Sequence, residues 1–168
     1  IAHLIQQVYV GRLTHVQGFN MNDSFADPTI PLSSGRTDPA IYGQYNALQL
    51  GLNYDVMVPW TGPAKRVLAQ QTAFTPQRPE TPDGPMAPMP YPEEVTAIAE
   101  TESGAVMTNV INWAARFASS RMEVYGDEGT LIFHAKGDKL FGAKKGDAEL
   151  AELPIPAEFS AWTVEEEF

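Results

Sequence analysis

The chain has 168 residues, 43% hydrophobic and 19% charged, the proportions of a globular domain with a core of its own. Eleven basic against 21 acidic residues leave a net charge of −10, which disfavours nucleic acid and anionic membranes as partners, and no stretch approaches the roughly 18 to 20 apolar residues of a membrane helix. Cysteine is absent, so disulfides, thiolate zinc sites and cysteine nucleophiles are excluded; the cytoplasm is the default expectation for location.

The chain opens IAHLIQQVYVGR, in which Ile1, Leu4, Ile5 and Val8 fall at helical spacing and Gly11 makes a stop. Residues 12–21 alternate, with Leu13, His15, Gln17, Phe19 and Met21 on one face, and predict a strand. Residues 22–38, rich in Asp, Ser, Pro and Gly, predict a loop. Thr37 or Asp38 can cap a helix with Pro39 at its first position, where a missing N–H costs nothing. That helix is expected to run to about Val58 and to end at Pro59 and Gly62. Ile41, Leu48, Leu52 and Val56 or Met57 give it an apolar stripe. Residues 65–74 predict a second strand.

Between Pro76 and Pro92 lie seven of the fourteen prolines. Proline fixes φ and lacks a donor, so an extended, polyproline-like surface connection is expected there, with Glu93 and Glu94 solvated beside it. A meander follows. Residues 95–100 and 105–113 are strands around a Glu102-Ser103-Gly104 turn; residues 121–125 and 130–134 flank the turn Gly126-Asp127-Glu128-Gly129. Residues 139–143 and 149–153 are weaker strands. No helix-length segment separates these strands, so the sheet is expected to be mostly antiparallel, in an α+β architecture with helices on one face. Residues 162–168 read as the start of another helix. With a helix already under way at Ile1, this predicts a piece of a longer protein.

The common chemical signatures are missing. There is no GxGxxG or GxxxxGK[ST] loop. His3, His15 and His134 lack metal-ligand spacing, and no serine has a nucleophile-elbow context. Glu165, Glu166 and Glu167 read as the first turn of a helix, favoured by its dipole. The best candidate site is the helix from Pro39: residues three and four apart share a face, so Tyr42, Tyr45, Asn46, Gln49 and Asn53 form one row, with Asp38 at its start. Hydroxyls and amides both donate and accept, which suits a polyhydroxylated ligand. The same row would also serve as the solvent face of an amphipathic helix.

The run from Val95 to Phe133 resembles the C-terminal domain of the glucose–fructose oxidoreductase / inositol dehydrogenase (Gfo/Idh/MocA) family. Ser103-Gly104-Ala105 and Gly126-Asp127-Glu128-Gly129-Thr130-Leu131 match its turns, Val10-Gly11-Arg12-Leu13 its opening, and Trp60-Thr61-Gly62 the end of its central helix. The resemblance implies an open, mostly antiparallel mixed sheet with helices on one face, a dihydrodipicolinate-reductase-like C-terminal domain. It further implies that residues 1–168 form a single substrate and oligomerisation domain. The NAD- or NADP-binding Rossmann domain, with its Glu-Lys-Pro motif, would lie outside them, so no cofactor-binding residue and no bound cofactor are expected in this chain.

The implied ligand is a sugar, cyclitol or related polyol, and the implied assembly is a homo-oligomer through the sheet face. Many members carry Asp-x-Gly-x-His on the central helix; here the matching run is Gln49-Leu50-Gly51-Leu52-Asn53. Amides do not take up a proton near neutral pH, so no residue is assigned as catalytic. By the resemblance, either the lysine of the Glu-Lys-Pro motif transfers the proton alone, or a tyrosine such as Tyr42, Tyr45 or Tyr54 assists, or the protein is not a dehydrogenase of the ordinary kind. A non-catalytic binding or assembly module that keeps the family fold is the alternative.

Overall fold

In the computed structural model, residues 1–33 and 45–156 are described. They form α1 (Ala2–Gln6), β1 (Leu13–Met21), α2 (Tyr45–Thr61), β2 (Ala64–Thr72), β3 (Gln77–Pro79), β4 (Met86–Pro88), β5 (Glu94–Thr101), β6 (Val106–Asn112), β7 (Arg121–Gly126), β8 (Gly129–His134), β9 (Lys139–Lys144) and β10 (Ala151–Leu153). Eight strands make one open sheet in the order β10-β9-β8-β7-β1-β6-β5-β2. Its neighbours are antiparallel except at the centre, where β1 runs parallel to β6, His15 opposite Val106 through Met21 opposite Asn112. Parallel pairing needs a long crossover; here the crossover contains α2 and four strands.

Strand alternation assigns the faces. Val16, Ala97, Ala99, Met107, Ile111, Val124 and Leu131 point to one side and are buried. Both helices cover that side: Ile1, which caps α1, Leu4 and Ile5 of α1, and Tyr54 and Trp60 of α2 pack on the cluster of Val10, Val16, Met57, Ala99, Met107, Val124, Leu131 and Leu140. A second cluster gathers Phe25, Tyr91, Val95, Ile111 and Trp113 at one end of the sheet, with the Phe25 and Trp113 rings edge-to-face at 5.4 Å.

Several local expectations change. The first helix ends at Gln6, because Val8 adopts φ 57° and Gly11 φ 73° to swing the chain into β1. A side chain at Gly11 would strike Asp127, whose Oδ1 accepts the Arg12 N–H at 2.8 Å. Pro59 lies inside the last turn of α2 rather than ending it; the stop is Gly62, at φ 72°, whose N–H donates to Val58 O at 2.8 Å. The helix start at Thr37 to Pro39 and the helix at 162–168 lie outside the described residues.

The proline-rich segment is a two-stranded hairpin, Gln77–Pro79 against Met86–Pro88, rather than a free extended connection. Glu93 is not solvated: it is fully buried in an ion pair with fully buried Arg78. Arg78 also donates to Phe25 O and Asp27 O, at 2.6 Å each. The other Glu93 oxygen accepts the N–H groups of Phe74 and Thr75. Glu94 is half-buried and accepts from Asn112 Nδ2 and Thr96 Oγ1.

Candidate functional site

The central helix lies on the sheet with only part of its expected apolar stripe inward. Of that stripe Met57 is in the core, Leu48, Leu52 and Val56 are about half exposed, at 56%, 51% and 49%, and Ile41 lies outside the described residues. Met57 and Thr61 are fully buried, and Gln49, Leu50, Asn53 and Tyr54 are partly buried. Of the candidate row, Gln49 and Asn53 meet: Gln49 Nε2 donates to Asn53 Oδ1 at 3.3 Å. Tyr45 and Asn46 lie in the first turn of α2. Tyr42 lies outside the described residues. Tyr54 Oη accepts the Ala64 N–H at 3.0 Å, which ties the middle of the helix to the start of β2.

The sheet beneath this part of the helix is cut low. The register places Gly18 of β1 opposite Asn109 of β6, Asn109 opposite Ala97 of β5, and Ala97 opposite Ala69 of β2. Across β1, β6, β5 and β2 the row therefore reads Gly-Asn-Ala-Ala, and on the other side of Gly18 it continues through Met122 of β7 and Phe133 of β8. Gly18 leaves room there for the ends of neighbouring side chains. A Cβ at that position would collide with Met57 Cε, sit 2.8 Å from Asn109 Oδ1 and lie 3.7 Å from Asn53 Nδ2. Those three groups thus surround one spot above β1.

On the β5 side of Asn109 the low row opens into a cleft of about 300 Å³, lined by Leu50, Gly51 and Tyr54 of α2 and Val67, Ala97, Ala99, Met107 and Asn109 of the sheet. Asn109 is only 3% exposed, and its Oδ1 has no hydrogen-bond partner among the described residues. A buried carbonyl left unpaired costs about 1–3 kcal/mol. Its neighbours on the same strand face, Met107 and Ile111, are apolar and fully buried. The sequence reading missed Asn109. The signal was available only in outline, as an amide on the inward face of an otherwise apolar strand.

The cleft lining does not fit a dinucleotide. None of its side chains is cationic, and residues 1–168 contain no glycine-rich loop to cradle a pyrophosphate. Among the described residues no group of three or more His, Asp or Glu side chains could hold a metal ion, and no helix is long and apolar enough to cross a membrane.

The opposite face of the sheet carries a polar network on its central strands. Gln17 Nε2 donates to His15 Nδ1 at 3.4 Å, leaving Nε2–H of His15 to donate to Thr108 Oγ1 at 2.8 Å. Arg121 Nε and Tyr125 Oη donate to the two oxygens of Glu123, at 2.6 and 2.8 Å, and the Arg121 guanidinium stacks 3.9 Å from the Phe19 ring. Burial lowers the His15 pKa, against the pull of Glu123. Burial acts to raise that of Glu123, but hydrogen bonds from Arg121 and Tyr125 outweigh it and hold the carboxylate below its ordinary range. Burial and the Glu123 hydrogen bond push Tyr125 up to about 12. Around the network Leu68 and Ile98 are exposed, at 75% and 46%.

The family model described as the GFO/IDH/MocA C-terminal domain matches residues 1–132, and the chain belongs to that family. No curated protein sequence matches it. Levoglucosan dehydrogenase in its apo form superposes with a TM-score of 0.79 at 22% identity, over 98% of this chain and 49% of that one. Further structures of that enzyme are complexes with NADH and L-sorbose and with NADH and levoglucosan.

An oxidoreductase domain protein from Kribbella flavida superposes with a TM-score of 0.79 at 20% identity, over 90% of this chain and 43% of that one. The super-repressor mutant of Gal80p from Saccharomyces cerevisiae superposes with a TM-score of 0.68 at 14% identity, over 90% and 41%. The chain spans about half the length of these relatives or less.

Proposed function

We propose that the chain is the substrate-binding and oligomerisation domain of an NAD(P)-dependent oxidoreductase, a dehydrogenase of a sugar, cyclitol or related polyol in the cytoplasm. The observation that carries this reading is the inward turn of the polar row: Gln49 and Asn53 face the low row of the sheet while Leu48, Leu52 and Val56 face away. Amides that both donate and accept suit ligand hydroxyls, so Gln49 and Asn53 hold the substrate and Tyr42, Tyr45 and Asn46 extend its pocket. NAD or NADP, held by residues outside 1–168, supplies the hydride chemistry. A second copy of the chain packs on the open sheet face, where the exposed Leu68 and Ile98 flank the His15 and Glu123 network. Neither nucleic acid nor membrane is a partner in this reading.

The test is titration of the protein at its natural length with NADH and NADPH, followed by turnover of levoglucosan, L-sorbose and myo-inositol. Gln49→Ala and Asn53→Ala should each lower kcat/KM about tenfold, the worth of one hydrogen bond to a hydroxyl. Absence of dinucleotide binding refutes the oxidoreductase reading. A second reading, a non-catalytic binding or assembly module, is favoured by one observation: amides stand at 49 and 53, where many family members carry an acid–base pair. It predicts dimers but no turnover, with assembly indifferent to both alanine variants and abolished by Leu68→Asp with Ile98→Asp.

A further inference from the structure

We propose that Asn109 is a positioning residue. Its buried carbonyl fixes which way the Asn53 amide points, and through Asn53 it makes Gln49 present an acceptor, so that the site takes the alcohol form of its substrate in preference to the carbonyl form. The inference deepens the polyol reading and rests on it. Asn109 Oδ1 is buried and has no hydrogen-bond partner among the described residues, whereas buried polar groups are as a rule paired. It lies over Gly18, on the side of Asn109 away from the cleft. A Cβ at Gly18 would sit 2.8 Å from Asn109 Oδ1 and 3.7 Å from Asn53 Nδ2. The Met57 methyl shares that spot; it is apolar and carried on a flexible chain.

Those positions give the amides a direction. An unpaired acceptor in a buried, apolar spot favours a donor facing it and repels a second carbonyl. Asn53 accordingly turns its nitrogen toward Gly18 and its oxygen toward Gln49, whose Nε2 donates to Asn53 Oδ1 at 3.3 Å. Gln49 then keeps an oxygen with both lone pairs free and a single unused N–H. In the reverse direction Asn53 would donate to Gln49 Oε1, and Gln49 would meet a ligand with two N–H groups and a half-used oxygen. A ligand hydroxyl donates, and so fits the observed direction. A carbonyl oxygen only accepts, and fits the reverse one better. Asn109 touches no ligand in this account; it acts through Asn53.

The experiment uses the protein at its natural length with myo-inositol and its ketone, myo-2-inosose, and with levoglucosan and its ketone. Alcohols are titrated in the presence of reduced cofactor and ketones in the presence of oxidised cofactor, so that neither reacts. The proteins are the parent, the nearly isosteric Asn109→Leu, Asn109→Ala, Asn53→Ala, and Asn53→Ala combined with Asn109→Leu. Asn109→Leu should weaken the alcohol about fivefold and leave the ketone unchanged or tighter, with KM for the alcohol rising by a similar factor and kcat within about twofold. In the Asn53→Ala background Asn109→Leu should change neither. The unliganded protein supplies a readout independent of turnover. The Asn53 side-chain amide, assigned in NMR spectra by its loss in Asn53→Ala, should exchange its protons with water slowly in the parent and quickly in Asn109→Leu.

An unchanged preference for alcohol over ketone in Asn109→Leu overturns the proposal while leaving the polyol reading intact, as does an equal loss for both forms. An effect of Asn109→Leu that persists undiminished in the Asn53→Ala background also overturns it, because Asn109 would then not act through Asn53. Failure of both Asn109→Leu and Asn109→Ala to fold overturns it too, since Asn109 would then be a structural residue. Failure of the parent to bind any alcohol or ketone removes the polyol reading itself, and this inference with it.

Discussion

The buried pair Arg78–Glu93 offers the sharpest test of how the ends of the sheet are held. Both side chains are fully inaccessible, 2.8 Å apart. Arg78 also donates from Nη2 to Phe25 O and from Nη1 to Asp27 O, its Nε–H has no partner among the described residues, and its guanidinium lies 5.7 Å from the Phe25 ring. Arg78→Met keeps most of the volume but strands the Glu93 carboxylate with only the Phe74 and Thr75 N–H groups. It also removes the guanidinium donor from Phe25 O and leaves Asp27 O with only the Ile30 N–H at 3.4 Å. Removing one partner of a buried pair costs about 3–5 kcal/mol, against a total stability of about 5–15 kcal/mol for a domain.

With a urea slope of about 2 kcal/mol/M, the midpoint should fall by about 2 M. Fluorescence of Trp113, packed edge-on against Phe25, follows the transition. The double variant Arg78→Met/Glu93→Gln removes both charges and leaves an amide oxygen for the two N–H groups, so it should lose less than Arg78→Met alone. A midpoint shift below about 0.5 M for Arg78→Met would refute the reasoning, because a buried carboxylate left without its cation cannot be that cheap. So would a double variant less stable than the single.

Glycine substitutions divide by what the new Cβ meets. Gly126→Ala places it on the backbone carbonyl of Val10, which cannot swing away, and should cost about 1–3 kcal/mol in chemical denaturation. Gly51→Ala meets nothing within 4 Å on a helix interior and should gain about 1 kcal/mol, while narrowing the cleft and weakening sugar binding. The pH profile follows from the open face. His15 and Glu123 both have folded pKa values below their ordinary 6.5 and 4.5, so the folded chain binds fewer protons than the unfolded one. Their stabilisation is present above those values and is lost as pH falls, first through the His15 range and then through that of Glu123. Urea midpoints measured between pH 7.5 and 3.5 should decline in that order, and His15→Gln should flatten the upper step only.

Much of the sheet was legible because its information is local. Alternation at 95–100 and 105–113 predicts β5 and β6 to within a residue or two, and the Gly126 to Gly129 turn predicts the β7–β8 hairpin. The parallel seam of β1 and β6 was not legible, since it joins His15 to Val106 across most of the chain. The Arg78–Glu93 pair was hidden for a related reason. An acidic doublet beside a proline run reads as solvated until the hairpin at 77–88 folds back and carries Arg78 under Phe25.

The central helix shows the deeper limit. Periodicity finds two stripes on a helix and normally gives the apolar one to the core. Here Leu48, Leu52 and Val56 turn outward while Met57 of the same stripe turns inward, and Gln49 and Asn53 are partly buried. The reason lies in the sheet. Gly18 and Ala97 leave room above the sheet, which Met57 fills over Gly18 and Leu50 only partly fills beside Ala97. Asn109 and Gly51 border the cleft of about 300 Å³ that remains. Smallness on three strands, invisible in any single one of them, is what turns a polar row on a helix into a candidate site.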